Sequence, residues 1–377
     1  MSDPGSGGAG RRLRVGVIFG GRSGEHEISL RSARSVLANL DVDRYEVIPI
    51  GISRQGEWFA GPLALEALER NALDRLEPIV LPASPGQAGL YRWRPGAPLQ
   101  TLGALDVVFP ILHGTFGEDG TVQGLLELAD LPYVGAGVLA SAVAMDKALF
   151  KELMRAHDIP VVESTVVLTS ELKDRMEDAL DRAEAVGRYP LFTKPSNLGS
   201  SVGITKCRSR SDLVEGLLDA ARYDRRVLVE RGLEAREIEV SVLGNDRPEA
   251  SVPGEVVPSD EFYSYRAKYL DERSRLLIPA PLDESTTTRA RELAVEAYRA
   301  IDGAGMARVD FLLEKDTGEL YLSEINTLPG FTSISMYPKL WEAGGLMYPQ
   351  LMDRLIGLAM ERHLQKSELV RTYEGAG

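Results

Sequence analysis

The segment "LRVGVIFGG", residues 13 to 21, limits the possible fold more than any other part of the chain. It is an apolar run that ends at two glycines, a pattern typical of a buried strand entering a turn. The residues that follow predict a helix from about Ile28 to Leu40 and a second strand at "YEVIPIGIS". A strand, a helix and a strand in this order are typical of an α/β domain, so we expect such a unit here.

The chain has 377 residues, more than a single hydrophobic core usually holds. Alternating strand and helix patterns predict three consecutive modules of α/β or α+β structure. The expected parts are a disordered tail at 1–12, an N-terminal α/β module at 13–135 with an elaboration at about 56–102, a central α+β module at 136–231 and a C-terminal module at 232–377. The central module has predicted helices in "AMDKALFKELMRAHDIP" and at about 171–187. The C-terminal module is rich in strand patterns up to Tyr321 and closes with a predicted helix at about 346–363.

The composition argues against several kinds of partner. A net charge of −13 and a pI near 5.0 disfavour nucleic acid and anionic membrane surfaces, because both would repel the average surface of the protein. The chain has no run of about 18 apolar residues and no recognisable targeting segment, so we expect a cytoplasmic location without membrane association. The single cysteine, Cys207, allows no intrachain disulfide and is expected to be a small buried residue.

The segment "RVDFLLEKDTGELYLSEIN" places charged residues within two apolar strand patterns joined by a turn. If the strands pair, Asp310, Glu324 and Asn326 can lie on one face, because same-face residues recur at every second position. Their carboxylate and amide oxygens are ligands typical of Mg²⁺, with nucleotide phosphates and water completing the coordination. A solvated sheet face explains the same spacing, so the pattern alone leaves both interpretations open.

Lys194 precedes a loop rich in glycine and serine, "PSNLGSSVG". The ammonium group, serine hydroxyls and backbone N–H groups of such a loop can bind a polyphosphate. The spacing differs from a Walker motif, so a flexible hairpin loop remains an alternative. Lys147 in "AMDKALFK" is either a second phosphate contact or part of the polar face of an amphipathic helix.

Two further segments place polar residues at the start of a helix. In "FGGRSGEHEISL" the glycines do not fit a dinucleotide-binding loop, and Glu25 either binds a cationic amine or interacts favourably with the helix dipole. In "LHGTFGEDGTVQG" the candidates are His113, Glu118 and Asp119, although caps and turns have the same composition. The chain contains four histidines, so a histidine-rich metal site is not expected.

Seven motifs together resemble the D-alanine–D-alanine ligases of the ATP-grasp superfamily, in one order and over nearly all of residues 13 to 363. They are "GGRSGEHEISL", "HGTFGEDGTVQGLLE", "GVLASAVAMDK", "KPSNLGSSVGI", "EFYSYRAKY", "ARVDFLL" and "EINTLPGFTSISMYP". The resemblance implies a three-module ATP-grasp architecture with ATP between the central and C-terminal modules, and a homodimer. It also implies ATP-dependent ligation of two D-alanines through an acyl phosphate, for peptidoglycan precursor synthesis.

The resemblance also implies a role for each candidate residue. The expected ATP contacts are Lys147, Lys194, Ser201, Glu230, Arg231, Leu233 and Glu237, and the expected ligands of two Mg²⁺ or Mn²⁺ ions are Asp310, Glu324 and Asn326. The expected catalytic residues are Glu25 at the ammonium of the first D-alanine, Ser200 and Tyr269 hydrogen-bonded with it, and Arg308 and the Gly330 N–H at the oxyanion. The expected substrate contacts are His113, Lys268, Ser335 and Met336, the last two at the second carboxylate.

The sequence leaves other functions open. D-Lactate or D-serine as acceptor would give a related ligase on the same fold, although in the family a tyrosine at the place of Tyr269 accompanies D-alanine. A biotin-type ATP-grasp carboxylase leaves "GEHEISL" and "KY" unexplained. A nucleotide-binding regulator without turnover would not need the retained Arg308, the metal-ligand candidates and both lysines.

Overall fold

The structure, a computed structural model, describes residues 11–87, 89–199, 202–257 and 275–370. These residues form four sheets, and helices cover or connect them. None of the helices within the described ranges is both long enough and apolar enough to cross a membrane.

The N-terminal module is an α/β unit, as its first strand, helix and strand predict. Its elements are β1 Leu13–Gly20, α1 His26–Asn39, β2 Tyr45–Ile52, β3 Trp58–Ala60, α2 Ala64–Glu69, a 3₁₀ turn Leu73–Arg75, β4 Ile79–Val80, β5 Gly89–Arg92, β6 Gln100–Ala104, β7 Val107–Ile111 and α3 Thr121–Leu128. One sheet has the order β3-β2-β1-β7, in which β1 pairs in parallel with β2 and β7. The predicted elaboration holds a second, antiparallel sheet, β4-β5-β6. Because β1 and β7 are parallel neighbours, the loops after them meet at one edge of the sheet.

The central segment builds an antiparallel sheet with the order β10-β9-β11-β8. Its elements are α4 Val138–Met145, α5 Lys147–Ala156, β8 Ser164–Leu168, α6 Glu171–Asp174, α7 Met176–Glu184, β9 Leu191–Pro195, β10 Thr205–Cys207, α8 Arg210–Ala220 and β11 Arg226–Arg231. The predicted helix in "AMDKALFKELMRAHDIP" begins at Lys147, because the Asp146 side chain caps it by accepting a hydrogen bond from the Leu149 N–H at 3.1 Å. The predicted helix at 171–187 is two helices, interrupted at Arg175.

The C-terminal segment contains an antiparallel sheet with the order β15-β14-β12-β16-β17, and β13 pairs with β12. Its elements are β12 Ala235–Leu243, β13 Glu249–Ala250, β14 Gly254–Val257, β15 Arg275–Leu277, α9 Glu284–Ala300, β16 Met306–Glu314, β17 Leu320–Asn326, α10 Met336–Ala343 and α11 Tyr348–Ser367. Helix α9 lies within the stretch predicted to be rich in strands. Its buried residues recur at helical spacing, and the Asp283 side chain caps it.

Two hydrophobic cores extend across the module limits expected from the sequence. Helices α4 and α5 contribute Ala140 and Phe150 to a core with Val240 and Val309 of the C-terminal sheet. Helix α11 contributes Leu351, among others, to the core beneath the N-terminal sheet. The elements around the cleft between the modules are therefore held by shared packing.

Candidate active site

A β-bulge brings the acidic residues of the C-terminal hairpin onto one face. Strands β16 and β17 pair with Asp310 opposite Glu324, but Phe311 lies opposite Leu322, so Ser323 is an extra residue on β17. Without this bulge Glu324 would point toward the core side, because a shift of one residue reverses the face of a strand. Val309 and Phe311 are buried in that core. The opposite face therefore presents Asp310 and Glu324 side by side.

Arg308 lies on the same face and joins two carboxylates. Its Nε and Nη2 atoms donate to the two oxygens of Asp310 at 2.7 and 2.6 Å. Its Nε atom also lies 3.1 Å from an oxygen of Glu239 on the neighbouring strand β12. A bidentate pair of this kind fixes the plane of the guanidinium. The paired carboxylates thus hold the arginine in one orientation at the floor of the cleft.

The donor set on this face fits a hard divalent cation. Asn326 lies two residues after Glu324, and its side-chain oxygen accepts a hydrogen bond from the Leu328 N–H at 3.2 Å, which orients the amide. The described ranges contain no group of three or more His, Cys, Asp or Glu residues suited to hold a metal. A cation here would therefore rest on two carboxylates, one amide oxygen and oxygens of a bound nucleotide, as Mg²⁺ usually does.

Two lysines and one glutamate form a buried ion cluster beside this hairpin. The Lys151 Nζ atom lies 2.6 Å from one oxygen of Glu230, and Lys194 pairs with the other oxygen. The side chains of Lys151 and Glu230 are 3% and 6% exposed, whereas Lys194 is 19% exposed. Lys194 is thus the member of the cluster that can reach a ligand.

The pKa directions in this cluster follow from burial and charge. Burial favours neutral Glu230, but Lys151 and Lys194 outweigh it and lower the pKa of Glu230 to about 2. Burial lowers the pKa of Lys151. Burial also opposes the charge on Lys194, but Glu230, then Glu324 and Glu237, raise its pKa. Lys194 is therefore a cation that faces carboxylates of both the central and the C-terminal segment.

Lys147 lies in the cleft between the modules. Its Nζ atom donates to the Leu198 carbonyl at 2.6 Å, which ties the first turn of α5 to the glycine-rich loop after β9. The cleft has an empty volume of about 530 Å³, which includes open solvent. Its lining residues are Glu25, Glu118, Ala144, Met145, Lys147, Gly199, Arg308, Glu324, Ile325, Asn326 and Thr327. Candidates from all three segments thus meet in one cleft.

Three of the expected ATP contacts, Arg231, Leu233 and Glu237, lie where β11 leads into β12. The Arg231 side chain donates to Glu163 at 2.7 Å and to Glu314 at 3.0 Å, so it links the central and C-terminal sheets. Leu233 is half-buried after β11, and Glu237 is half-buried on β12. Arg231 therefore already has two carboxylate partners, and a nucleotide base would meet this segment through its backbone or through Leu233.

Glu25 lies at the start of α1, and two glycines approach its carboxylate closely. A Cβ atom at Gly114 would lie 2.5 Å from a carboxylate oxygen of Glu25, and one at Gly199 would lie 3.1 Å from it. Gly114 also has a φ of +76°, a conformation that other residues rarely adopt. Glycine at these positions lets the loops of two modules approach one carboxylate.

His113 is buried beside Glu118, and the two influence each other. The Nδ1 atom of His113 lies 3.6 Å from a Glu118 oxygen. Burial favours neutral His113, but Glu118 and Glu25 outweigh it and raise the pKa of His113. Burial, aided by the charge of Glu25, raises the pKa of Glu118 above its usual value despite His113. This pair lies at the edge of the cleft that Glu25 lines.

The loop after β17 places Gly330 against the start of α10. A Cβ atom at Gly330 would lie 2.8 Å from the Ser335 hydroxyl oxygen, so the close approach favours glycine. Ser335 is the N-cap residue of α10, and its hydroxyl accepts a hydrogen bond from the Thr332 N–H at 3.0 Å. The Met336 side chain is buried, so a carboxylate at this helix start would meet the Met336 N–H and Ser335.

Four predicted site residues lie outside the described residues: Ser200, Ser201, Lys268 and Tyr269. Their expected roles rest on the sequence.

Two family models together match most of the chain. The model described as "D-ala D-ala ligase N-terminus" matches residues 14–136, and the model described as "D-ala D-ala ligase C-terminus" matches residues 153–357. The chain belongs to the D-alanine–D-alanine ligase family. The two matches divide this ligase close to the expected end of its N-terminal module.

Individual relatives of the ligase agree with this assignment. It is 50% identical to a D-alanine–D-alanine ligase of Thermoanaerobacter sp. strain X514, over 94% of this chain and 98% of the relative. It resembles the solved D-alanine–D-alanine ligase from Coxiella burnetii with a TM-score of 0.81 and 39% identity, over 96% of this chain and 98% of that one. It resembles the VanG D-Ala:D-Ser ligase from Enterococcus faecalis with a TM-score of 0.82 and 36% identity, over 93% of this chain and 100% of that one. The predicted family, ATP-grasp fold class and ATP-dependent ligase activity are confirmed.

The structure adds two residues that the sequence analysis did not select. Glu239 is buried beside Arg308, and Lys151 is buried beside Glu230. The signal for Glu239 was available, because "EIEVSV" alternates charged and apolar residues as the hairpin does. Lys151 gave no comparable signal, because a lysine four residues after Lys147 is ordinary on a helix surface.

Proposed function

We propose that this ligase joins two D-alanines at the cleft where Glu25, Lys147, Arg308 and Glu324 converge. The main support for this proposal is that these side chains line one cleft. Together they offer a carboxylate for an ammonium group, a lysine, an arginine and oxygens suited to a metal ion. ATP lies between the central and C-terminal modules, with its phosphates toward Lys147 and Lys194. The expected limits of the modules, 13–135, 136–231 and 232–377, remain part of this proposal.

The first D-alanine binds with its ammonium at Glu25. The close approach of Gly114 and Gly199 to Glu25 supports this role, because it brings loops of two modules to one carboxylate that lines the cleft. Ser200 and Tyr269 complete the network around the ammonium, as the family resemblance implies. His113 lies at the edge of the same cleft and contributes a substrate contact.

Asp310, Glu324 and Asn326 would hold two Mg²⁺ ions, or Mn²⁺ in their place. Divalent cations supply charge neutralisation for the phosphates of ATP during phosphoryl transfer. Lys194 adds a positive charge beside these carboxylates and can turn from Glu230 toward a phosphate, because its side chain is the most exposed of the buried cluster.

The carboxylate of the first D-alanine attacks the γ-phosphorus of ATP, and the bond to the bridging oxygen of ADP breaks. The amine of the second D-alanine then attacks the acyl carbon and loses a proton, and phosphate leaves. Arg308 and the Gly330 N–H stabilise the oxyanion formed in this attack, and such a contact contributes roughly 3 kcal/mol. The carboxylate of the second D-alanine binds at Ser335 and the Met336 N–H, with Lys268 as a further contact.

D-Alanine is the proposed acceptor. Overall similarity does not separate acceptors, because a D-Ala:D-Ser ligase and a D-alanine–D-alanine ligase match this chain with TM-scores of 0.82 and 0.81. The proposal instead rests on Tyr269, the residue that accompanies D-alanine as acceptor in the family. We further propose that the ligase is a homodimer, that it lies in the cytoplasm and that it acts in peptidoglycan precursor synthesis. Sedimentation of the purified protein tests the homodimer.

Phosphate release tests the proposed function. With ATP and Mg²⁺, release should depend on added D-alanine, and Glu324→Ala should abolish it while the protein remains folded. Arg354→Ala, which removes an exposed ion pair with Glu249, is a control and should keep normal turnover. Release that does not depend on D-alanine, or normal turnover of Glu324→Ala, would contradict the proposal.

A further inference from the structure

Ser32 is a fully buried polar residue on α1. Its Oγ atom accepts a hydrogen bond from the Phe331 N–H at 3.3 Å and lies 3.0 Å from the Nε2 atom of His113. The hydroxyl therefore joins three parts of the molecule: helix α1, the loop after β7 and the loop after β17. A buried hydroxyl with partners of this kind constrains both loops.

The second nitrogen of His113 holds the same loop from the other side. The Nδ1 atom lies 3.0 Å from the Leu328 carbonyl oxygen, and a carbonyl oxygen only accepts, so Nδ1 carries a proton. In the neutral ring, Nε2 then accepts from the Ser32 hydroxyl. In the protonated ring, Nε2 donates to it. The hydroxyl suits both states, so the connection from Ser32 to Leu328 does not depend on the charge of His113.

These contacts bracket the peptide group that carries the Gly330 N–H. The Leu328 carbonyl belongs to the peptide before it, and the Phe331 N–H belongs to the peptide after it. Pro329 lies between, and its ring restricts the backbone angle φ. With both neighbouring peptides held and one angle restricted, the direction of the Gly330 N–H has little remaining freedom.

We propose that Ser32 is a positioning residue that, together with His113, aims the Gly330 N–H at the oxyanion. The inference rests on the proposed function, because it needs Gly330 to act as an oxyanion donor. Ser32 itself touches no reacting atom. Its loss should slow attack by the second D-alanine more than it weakens ATP binding. The acyl phosphate then persists for longer, and water can attack its phosphorus. The bond between phosphorus and the carboxylate oxygen breaks, so phosphate and D-alanine form without dipeptide and without an oxyanion at the acyl carbon.

Ser29 provides a matched control on the same helix. It is also fully buried, it accepts from the Gly20 N–H at 2.7 Å, and it donates to the Ile111 carbonyl. These partners belong to strands β1 and β7 rather than to the loop that carries Gly330. Ser29→Ala therefore removes a comparable buried hydroxyl without releasing that loop.

The experiment measures dipeptide formed per phosphate released, together with kcat and the KM for ATP, for the unmodified enzyme, Ser32→Ala and Ser29→Ala. We expect Ser32→Ala to lower kcat by roughly tenfold to a hundredfold and to lower the ratio, with the KM for ATP within about twofold. Ser29→Ala should keep the ratio and kcat of the unmodified enzyme. The ratio does not depend on the folded fraction, so loss of stability cannot imitate the effect. If Ser32→Ala has the same kcat and the same ratio of dipeptide to phosphate as Ser29→Ala in an otherwise active enzyme, the inference is wrong. An unmodified protein that forms no dipeptide overturns the proposed function itself.

Discussion

Replacing Lys151 with methionine should destabilise the protein and weaken its binding of ATP. The Lys151 ammonium lies 2.6 Å from Glu230, and both side chains are almost fully buried. At an effective dielectric constant of about 20, charges this close attract by about 6 kcal/mol before the unfavourable free energy of burying them is counted. Removing one partner of a buried pair typically destabilises by about 3–5 kcal/mol, because the other charge stays buried. Lys194 still pairs with Glu230, so we expect the lower end, about 3 kcal/mol.

Urea unfolding of a double-mutant cycle measures this effect. The cycle contains the unmodified protein, Lys151→Met, Glu230→Gln and the double variant, and equal slopes show that the same transition is compared. The double variant should be more stable than the sum of the single changes predicts by at least about 1 kcal/mol, because it leaves no uncompensated charge on Glu230. Arg354→Met, which breaks an exposed pair with Glu249, should change stability by less than about 1 kcal/mol.

Lys151→Met should also raise the dissociation constant for ATP by about tenfold. Without Lys151, Lys194 is the remaining ion-pair partner of Glu230, and this ion pair holds Lys194 away from the phosphates. Calorimetric titration with ATP and Mg²⁺ checks this expectation. Two results would refute this reasoning: additive effects of the two substitutions on the free energy of unfolding, or an ATP affinity of Lys151→Met equal to that of the unmodified protein. Either would show that Lys151 does not balance the charge of Glu230 and so leave Lys194 available to bind phosphate.

Three further predictions concern catalysis, specificity and pH. Arg308→Ala should lower kcat by at least about 10² with much less change in nucleotide affinity, because Arg308 meets charge that develops during the reaction; an effect confined to the KM for ATP would make it a nucleotide contact instead. Tyr269→Phe should form more D-alanyl-D-lactate as pH falls, because the competing amine is more fully protonated, and a product ratio independent of pH would count against this role. Glu230, whose pKa is about 2 in the folded protein, should contribute stability that is present above its unfolded pKa of 4.5 and is lost as pH falls toward 2. Glu230→Gln should therefore flatten the dependence of the urea midpoint on pH in this range, and an unchanged slope would contradict the prediction.

The hairpin illustrates how far sequence reasoning reaches. Alternation of charged and apolar residues indicated that Asp310, Glu324 and Asn326 can share one face, because a strand has a period of two, but it left a solvated face as an alternative. The bulge at Ser323 was not foreseen, and a regular register would have placed Glu324 on the other face. A bulge depends on how two strands pair, and no single residue type in this hairpin predicts it.

Other features depend on segments that are distant in the chain. Ser32 acquires its partners from loops near residues 113 and 331, and Lys151 acquires Glu230 from another element. Helix α9 was missed for a different reason, because its threonines and alanines gave a weak pattern inside a stretch dominated by strands. Motifs therefore indicated candidate residues that line the cleft, whereas Ser32 and Lys151 became visible only from the packing of the three modules.

Product analysis distinguishes the possible acceptors of this ligase. The unmodified ligase is incubated at pH 7 with ATP, Mg²⁺ and equimolar D-alanine, D-lactate and D-serine, and the products are separated and identified by mass. We predict D-alanyl-D-alanine as the main product, formed together with ADP and phosphate in equal amounts. Chiefly D-alanyl-D-lactate or D-alanyl-D-serine would contradict the proposed acceptor, and ADP release without any D-alanyl product would contradict the proposed ligase reaction.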